Sequence, residues 1–170
     1  VDVFCLDKTG TLTQNKMVVF DPVTFNDYSE ADLFLTAIQV SKEENNDPIE
    51  TPIYQYVKEH FPQAALTPFQ QINFVPFDPT RKRTESTIKK DKAFYKVTKG
   101  AAQVVLSMCQ LTDKQQQEIE DQVDAFAHKG YRTLAVAKTA VQNILQVAET
   151  DQAWLFIGLI PMYDPPREDA

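Results

Sequence analysis

Positive charge is the scarcer sign in this sequence. There are 17 Lys and Arg against 24 Asp and Glu, and the net charge is −7. That argues against general nucleic-acid binding and against docking on anionic lipid, so any polyanion must meet a local basic patch. Cysteine is nearly lacking. Cys5 and Cys109 lie far apart and form neither a metal spacing nor a disulfide framework, which suits a reducing compartment. Long apolar runs are lacking too: the longest, Leu155 to Met162, contains Gly158 and Pro161 and is far too short to span a bilayer. Asp2 and Asp7 interrupt the N-terminal stretch and no basic region precedes it, so it does not read as a secretory leader. There is no initiator Met, no repeat and no low-complexity tract. The 170 residues therefore read as one well-buried domain with fragments of a second, cut from a larger protein.

What is present is a run of alternating signals. Gln14 to Phe20 reads as a short extended segment broken by Asp21-Pro22. Ser29-Glu30-Ala31-Asp32 opens a helix with Leu33, Ala37, Ile38 and Ser41 at helical spacing. Thr51-Pro52 opens a second with Pro at its first position, carrying Ile53, Tyr54, Val57 and Phe61. From Phe69 the period changes to two. Ile72 to Phe77, Thr84 to Ile88 and Ala93 to Thr98 read as strands, with a hairpin turn at Lys89-Lys90-Asp91-Lys92. Gly100 to Met108 reads as a short helix. A longer one is capped by Thr112, carries Ile119, Val123 and Phe126, and closes at Lys129-Gly130. Tyr131 to Ala137 and Trp154 to Ile160 are the last strands, the latter apolar enough to be buried on both faces. Adjacent strands joined by hairpins, with helices packed on them, give an α+β class with an antiparallel twisted sheet. The first and last strands, Val3 to Leu6 and Trp154 to Ile160, are expected to pair outside it, in a separate parallel sheet.

Several stretches carry chemistry. Val3-Phe4-Cys5-Leu6 delivers Asp7 from a strand end into Lys8-Thr9-Gly10-Thr11, the place where open α/β sheets hold ligands. A carboxylate there can act as nucleophile towards a phosphoryl group, with Lys8 offsetting charge and Thr9 donating hydrogen bonds. The plainer reading of Asp-Lys-Thr-Gly is a strand followed by an Asx turn. Arg81-Lys82-Arg83 is the densest positive charge, and Phe77 just before it offers a face on which a base can stack for about 1–3 kcal/mol. A solvated turn with an edge aromatic is the alternative. Lys99-Gly100 before the short helix suits an anion at a helix N-terminus, or is merely a surface lysine near one. Glu50 in Asp47-Pro48-Ile49-Glu50 reads as an acidic helix start, Arg132 as a surface cation at a strand start, and Asp164-Pro165-Pro166-Arg167 as a rigid exit.

In order and spacing, these stretches resemble the P-type ATPases, ion pumps that form an aspartyl phosphate, and the resemblance covers essentially the whole chain. It implies that Asp7 is phosphorylated, with Lys8 and Thr9 beside it, and that Asp7 and Thr9 give an incomplete Mg²⁺ site. It also implies that Glu50, Phe77, Lys82, Lys99, Gly100 and Arg132 bind ATP, and that Asp164 and Arg167 hold a hinge near the phosphate. Ala102 stands where the family usually has proline. The implied organisation is a fragment of a haloacid dehalogenase-like phosphorylation domain at 1–16, a nucleotide-binding domain at 17–157, and a hinge and return fragment at 158–170. Implied partners are ATP and the rest of the same pump, on the cytoplasmic face of a cell membrane; no membrane segment lies in this stretch. The fragment is expected to bind ATP without turnover. The return segment looks most like the proton-pump subgroup, with calcium or magnesium pumps as alternatives. A soluble haloacid dehalogenase-type phosphatase usually has a second Asp two residues after its nucleophile, where this chain has Thr9. A non-catalytic nucleotide sensor is the remaining reading.

Overall fold

The computed structural model describes residues 13–42, 47–63, 68–140 and 153–167. Among the described residues there are seven strands and four helices. They are β1 (Val18–Val19), β2 (Val23–Thr24), α1 (Glu30–Gln39), α2 (Glu50–His60), β3 (Gln70–Asp78), β4 (Arg83–Lys90), β5 (Ala93–Ala101), α3 (Ala102–Met108), α4 (Asp113–His128), β6 (Arg132–Thr139) and β7 (Trp154–Tyr163). The strands form one antiparallel sheet in the order β1-β7-β6-β5-β4-β3, with β2 also on β7.

Local chemistry explains the element ends. Ser29 and Asp32 form a reciprocal capping box at the start of α1, as Thr112 and Gln115 do for α4. Gly130 leaves α4 with φ +77°, and its N–H and that of Tyr131 return to Ala127 O and Phe126 O. The β4–β5 turn is tighter than the charge run suggests. Lys89 and Lys90 stay in the ladder, and Asp91-Lys92 alone reverse the chain, Asp91 at φ 57°. In α2, Pro52 occupies the third helical position rather than the first. This still lies in the first turn, where an N–H has no helical acceptor.

Two apolar layers sandwich the sheet. On one face Leu33, Phe34, Ala37 and Ile38 of α1 and Ile53 and Val57 of α2 bury against Val136, Ile157, Ile160 and Met162. On the other, Val105 and Leu106 of α3 and Ile119 and Phe126 of α4 meet Ala135, Ala137, Phe156 and Leu159. β7 serves both layers because successive side chains point to opposite faces, with a bulge opposite Val136–Ala137 shifting the phase, and it is buried from Phe156 to Met162. This corrects one expectation. β7 does not leave for a parallel sheet but lies within the antiparallel one, between β6 and the β1–β2 segment. Its two apolar faces need two helix layers, and this sheet supplies them. It runs unbroken through Gly158 to Tyr163. The first predicted strand, Val3 to Leu6, lies outside the described residues.

Entry and exit then run side by side. Thr13 bridges Pro166 in antiparallel fashion, and Gln14 N–H donates to Pro165 O at 3.0 Å.

Candidate functional site

A cavity of about 160 Å³ opens at the end of the α1–α2 face, over β4, β5 and β6. Asp47, Ile49, Glu50, Phe77, Thr84, Lys99, Gly100, Ala101 and Leu134 line it. Four of the residues picked from the sequence, Glu50, Phe77, Lys99 and Gly100, meet here.

Lys99 is the unusual member. Its residue is 3% exposed, and Nζ donates to Glu50 Oε2 at 2.5 Å and to Ser41 Oγ at 2.6 Å. Burial pulls its pKa below the ordinary value of 10.5, and the charges of Glu50 and, more weakly, Asp47 oppose that pull. Glu50 is delivered by the first turn of α2. The Asp47 carboxylate fixes that turn by accepting from Ile49 N–H at 2.7 Å, and Asp47 O accepts from Thr51 N–H at 2.9 Å. Lys99 does not precede a helix, as the sequence suggested. β5 continues through Ala101, because Gly100 pairs with Arg83 on one side and Ala135 on the other, and α3 begins only at Ala102. The ammonium that faces the cavity is thus carried by a strand, three residues ahead of α3.

Gly100 has a steric task. A Cβ there would fall 2.5 Å from Lys82 O and 2.6 Å from Arg83 Cβ, so the 79–82 turn can fold down onto β5 only over a glycine. Ala101 N–H closes that contact by donating to Lys82 O at 3.0 Å. Asp78 shapes the turn, accepting from Thr80 and Arg81 N–H at 2.9 and 2.8 Å, while Lys82 takes φ 51°. Phe77 is 60% exposed at the cavity mouth. Lys82 is exposed on the turn and does not line the cavity.

Arg132 is placed apart, exposed at the start of β6. It lines a second cavity of about 270 Å³ with Thr13, Asn15, Pro48, Gly130 and Asp164, among others. The two cavities share one loop, Asp47 and Ile49 facing the first and Pro48 the second. Arg132 and Leu134 are two apart on β6 and so point to the same face. Asp164 clamps the entry strand: Thr13 Oγ1 donates to its Oδ2 at 2.5 Å and Lys16 N–H to its Oδ1 at 3.1 Å. Arg167 Nε donates to Thr13 O at 3.1 Å. Asp7, Lys8 and Thr9 lie outside the described residues.

A sequence model described as P-type ATPase, cytoplasmic domain N, matches residues 28–169. The chain belongs to this family. It is 39% identical, over all 170 of its residues, to a Methanocaldococcus jannaschii protein named as a cation-transporting ATPase. It spans 20% of that relative's length. The antiparallel sheet with its two helix layers is thus the architecture of a domain N. Among the described residues no helix is long and apolar enough to cross a membrane.

Within this domain-N fold, sequence reasoning missed Ser41, Thr84 and Leu134. Ser41 falls in the helical spacing of α1, but that helix ends at Gln39 and the Ser41 hydroxyl lies against Glu50 and Lys99. Its partner Lys99 is 58 positions away, so no local period marks the contact. Thr84 was legible in principle: it is a polar residue in an alternating strand, and it is buried.

Proposed function

We propose that this chain is the ATP-binding domain of a cation-transporting P-type ATPase. The adenine end of ATP enters the cavity between Phe77 and Lys99, and the phosphates run out past Lys82 and Arg132. In the intact pump the γ-phosphate is offered to the carboxylate of Asp7. The observation that carries this reading is the pairing of an exposed aromatic face at the mouth with a buried ammonium on the floor, in a chain whose net charge is −7. Such a pocket stacks a flat ring and directs a hydrogen bond to its edge. At about 160 Å³ it falls short of the roughly 300–1,000 Å³ of a full ligand site, so it suits the base and leaves the phosphates on the rim.

Attack by Asp7 on the γ-phosphorus forms an acyl phosphate and releases ADP, dividing hydrolysis into two easier steps. Thr9, in place of a second Asp, leaves that acyl phosphate without a neighbouring general base and lets it persist. Mg²⁺ supplies charge neutralisation when bound with the phosphates. Its protein ligands would be Asp7 and Thr9, and among the described residues no three His, Cys, Asp or Glu gather to hold a metal. We assign 1–16 and the residues after Tyr163 to the pieces that join this domain to a haloacid dehalogenase-like phosphorylation domain; the boundary expected between 157 and 158 falls inside β7, which belongs to the domain's own sheet. The exit segment Gly158 to Arg167 favours a proton pump over a calcium or magnesium pump. The setting is the cytoplasmic face of a cell membrane, and the domain alone binds ATP without turning it over.

The test is an amide NMR titration with ATP and a non-hydrolysable analogue. Shifts should gather on Glu50, Phe77, Lys99 and Arg132 with a Kd nearer millimolar than nanomolar, and Phe77→Ala should weaken them. A folded chain silent at these residues up to about 10 mM nucleotide would overturn the proposal.

A further inference from the structure

The part of the cavity that this reading leaves unexplained is the serine at its back wall. Ser41 is 6% exposed and follows the end of α1. Gln71 of β3 holds the backbone there, its Nε2 donating to Gln39 O at 3.1 Å and to Ser86 Oγ at 3.1 Å. Ser41 Oγ lies 2.6 Å from Lys99 Nζ and 2.5 Å from Glu50 Oε2, while Lys99 Nζ lies 2.5 Å from the same carboxylate oxygen. The three polar atoms therefore close a triangle joining the end of α1, the start of α2 and the middle of β5.

A hydroxyl has one proton to give. Ala37 O, at 2.8 Å, and Glu50 Oε2 compete for it. Oxygen against oxygen at 2.5 Å is repulsive without a proton between them, so the proton goes to the carboxylate, the stronger acceptor. Ser41 Oγ then accepts from the ammonium. Among the described residues Lys99 gives two of its three N–H groups to fixed partners, which leaves one for an incoming acceptor.

We propose that Ser41 is a positioning residue for the nucleotide cavity: it locks the Lys99 ammonium and the Glu50 carboxylate into one geometry, so that the third N–H of Lys99 is presented to the ligand already oriented. The inference rests on the ATP-binding reading above. A lysine stem has four rotatable bonds, and an ammonium held by one partner can swing about it, whereas two partners on different elements fix it. The groups facing Lys99 are Glu50 of α2, Asp47 ahead of it, Ser41 behind α1 and Thr84, its cross-strand partner on β4. Ser41 is the neutral member of the triangle. Its removal tests orientation without deleting a charge.

The experiment compares wild type, Ser41→Ala and Ser41→Thr in two readouts. The first is the titration of Lys99, followed by NMR at its ε-carbon and ζ-nitrogen without nucleotide. Loss of an acceptor to the ammonium should move it downward in Ser41→Ala, and Ser41→Thr should restore it. The second is ATP affinity from amide shifts, expected to fall about tenfold in Ser41→Ala, the scale of one hydrogen bond to a charged group, and to recover in Ser41→Thr. Should Ser41→Ala not fold, Ser41→Cys keeps the volume with a much weaker acceptor. A folded variant in which both the Lys99 titration and ATP affinity match wild type overturns the proposal. A wild-type chain that ignores ATP while Ser41→Ala still moves the Lys99 titration sinks the ATP-binding reading instead, and leaves the triangle as the feature that fixes Lys99.

Discussion

Two lysines of this domain sit 17 residues apart in sequence and face opposite physical problems. Lys99 is buried on a central strand with two fixed partners, while Lys82 is exposed at the end of a turn. Burying an ammonium carries a large desolvation cost that only good geometry offsets, so Lys99 is held in one place before any ligand arrives. Lys82 keeps its hydration and its freedom, and it can follow a flexible polyanion at little cost to the fold. A binding surface that must be precise at one end of its ligand and tolerant at the other can be made from these two kinds of cation.

The contrast can be broken at its strong end first. Glu50→Ala removes the carboxylate from a lysine whose side chain is 2% exposed, and should cost about 3 kcal/mol of stability in urea denaturation. Gly100→Ala forces a methyl group against Lys82 O and the Arg83 side chain, and should cost about 2 kcal/mol while also displacing the turn that carries Lys82. Phe77→Ala should leave the unfolding midpoint within about 0.5 kcal/mol and weaken ATP binding by about 1–2 kcal/mol, read by calorimetry. Lys82→Ala should reduce ATP affinity by only about 0.5 kcal/mol, a difference that fades as salt rises.

The shallowest effect is a slope with pH. Lys99 lies below its ordinary value of 10.5 in the folded chain, so between its folded value and 10.5 the unfolded chain binds the extra proton. Stability attributable to Lys99 therefore rises with pH across that window. The burial cost is fully present below the folded value and relieved above 10.5. The stability difference between wild type and Lys99→Met should carry this slope in urea midpoints.

The same contrast explains what could be read from the sequence. The strands between Ile72 and Thr98, the helix starts at Ser29 and Thr112, and the glycine stop after Lys129 are local, and each appears in the fold, although burial alternates cleanly only along β4. The residues gathered at the cavity were legible only as a series in a known order. Their settings were not. Lys99-Gly100-Ala101 looks like a helix start, yet pairing with both β4 and β6 keeps it extended. Ser41 fits a helical period, yet long-range geometry gives it another task. The last strand was apolar on both faces, which announces two covering layers without saying which sheet provides them.

The seam at Thr13 and Pro166 has a mechanical consequence. A chain that passes through a single segment can swivel about it, whereas one whose entry and exit segments are bridged side by side is held at two points. Asp164, gripping both Thr13 and Lys16, and Arg167, reaching Thr13 O, clamp the two segments together. Two segments clamped in this way cannot turn independently of each other, so rotation about either one alone is resisted.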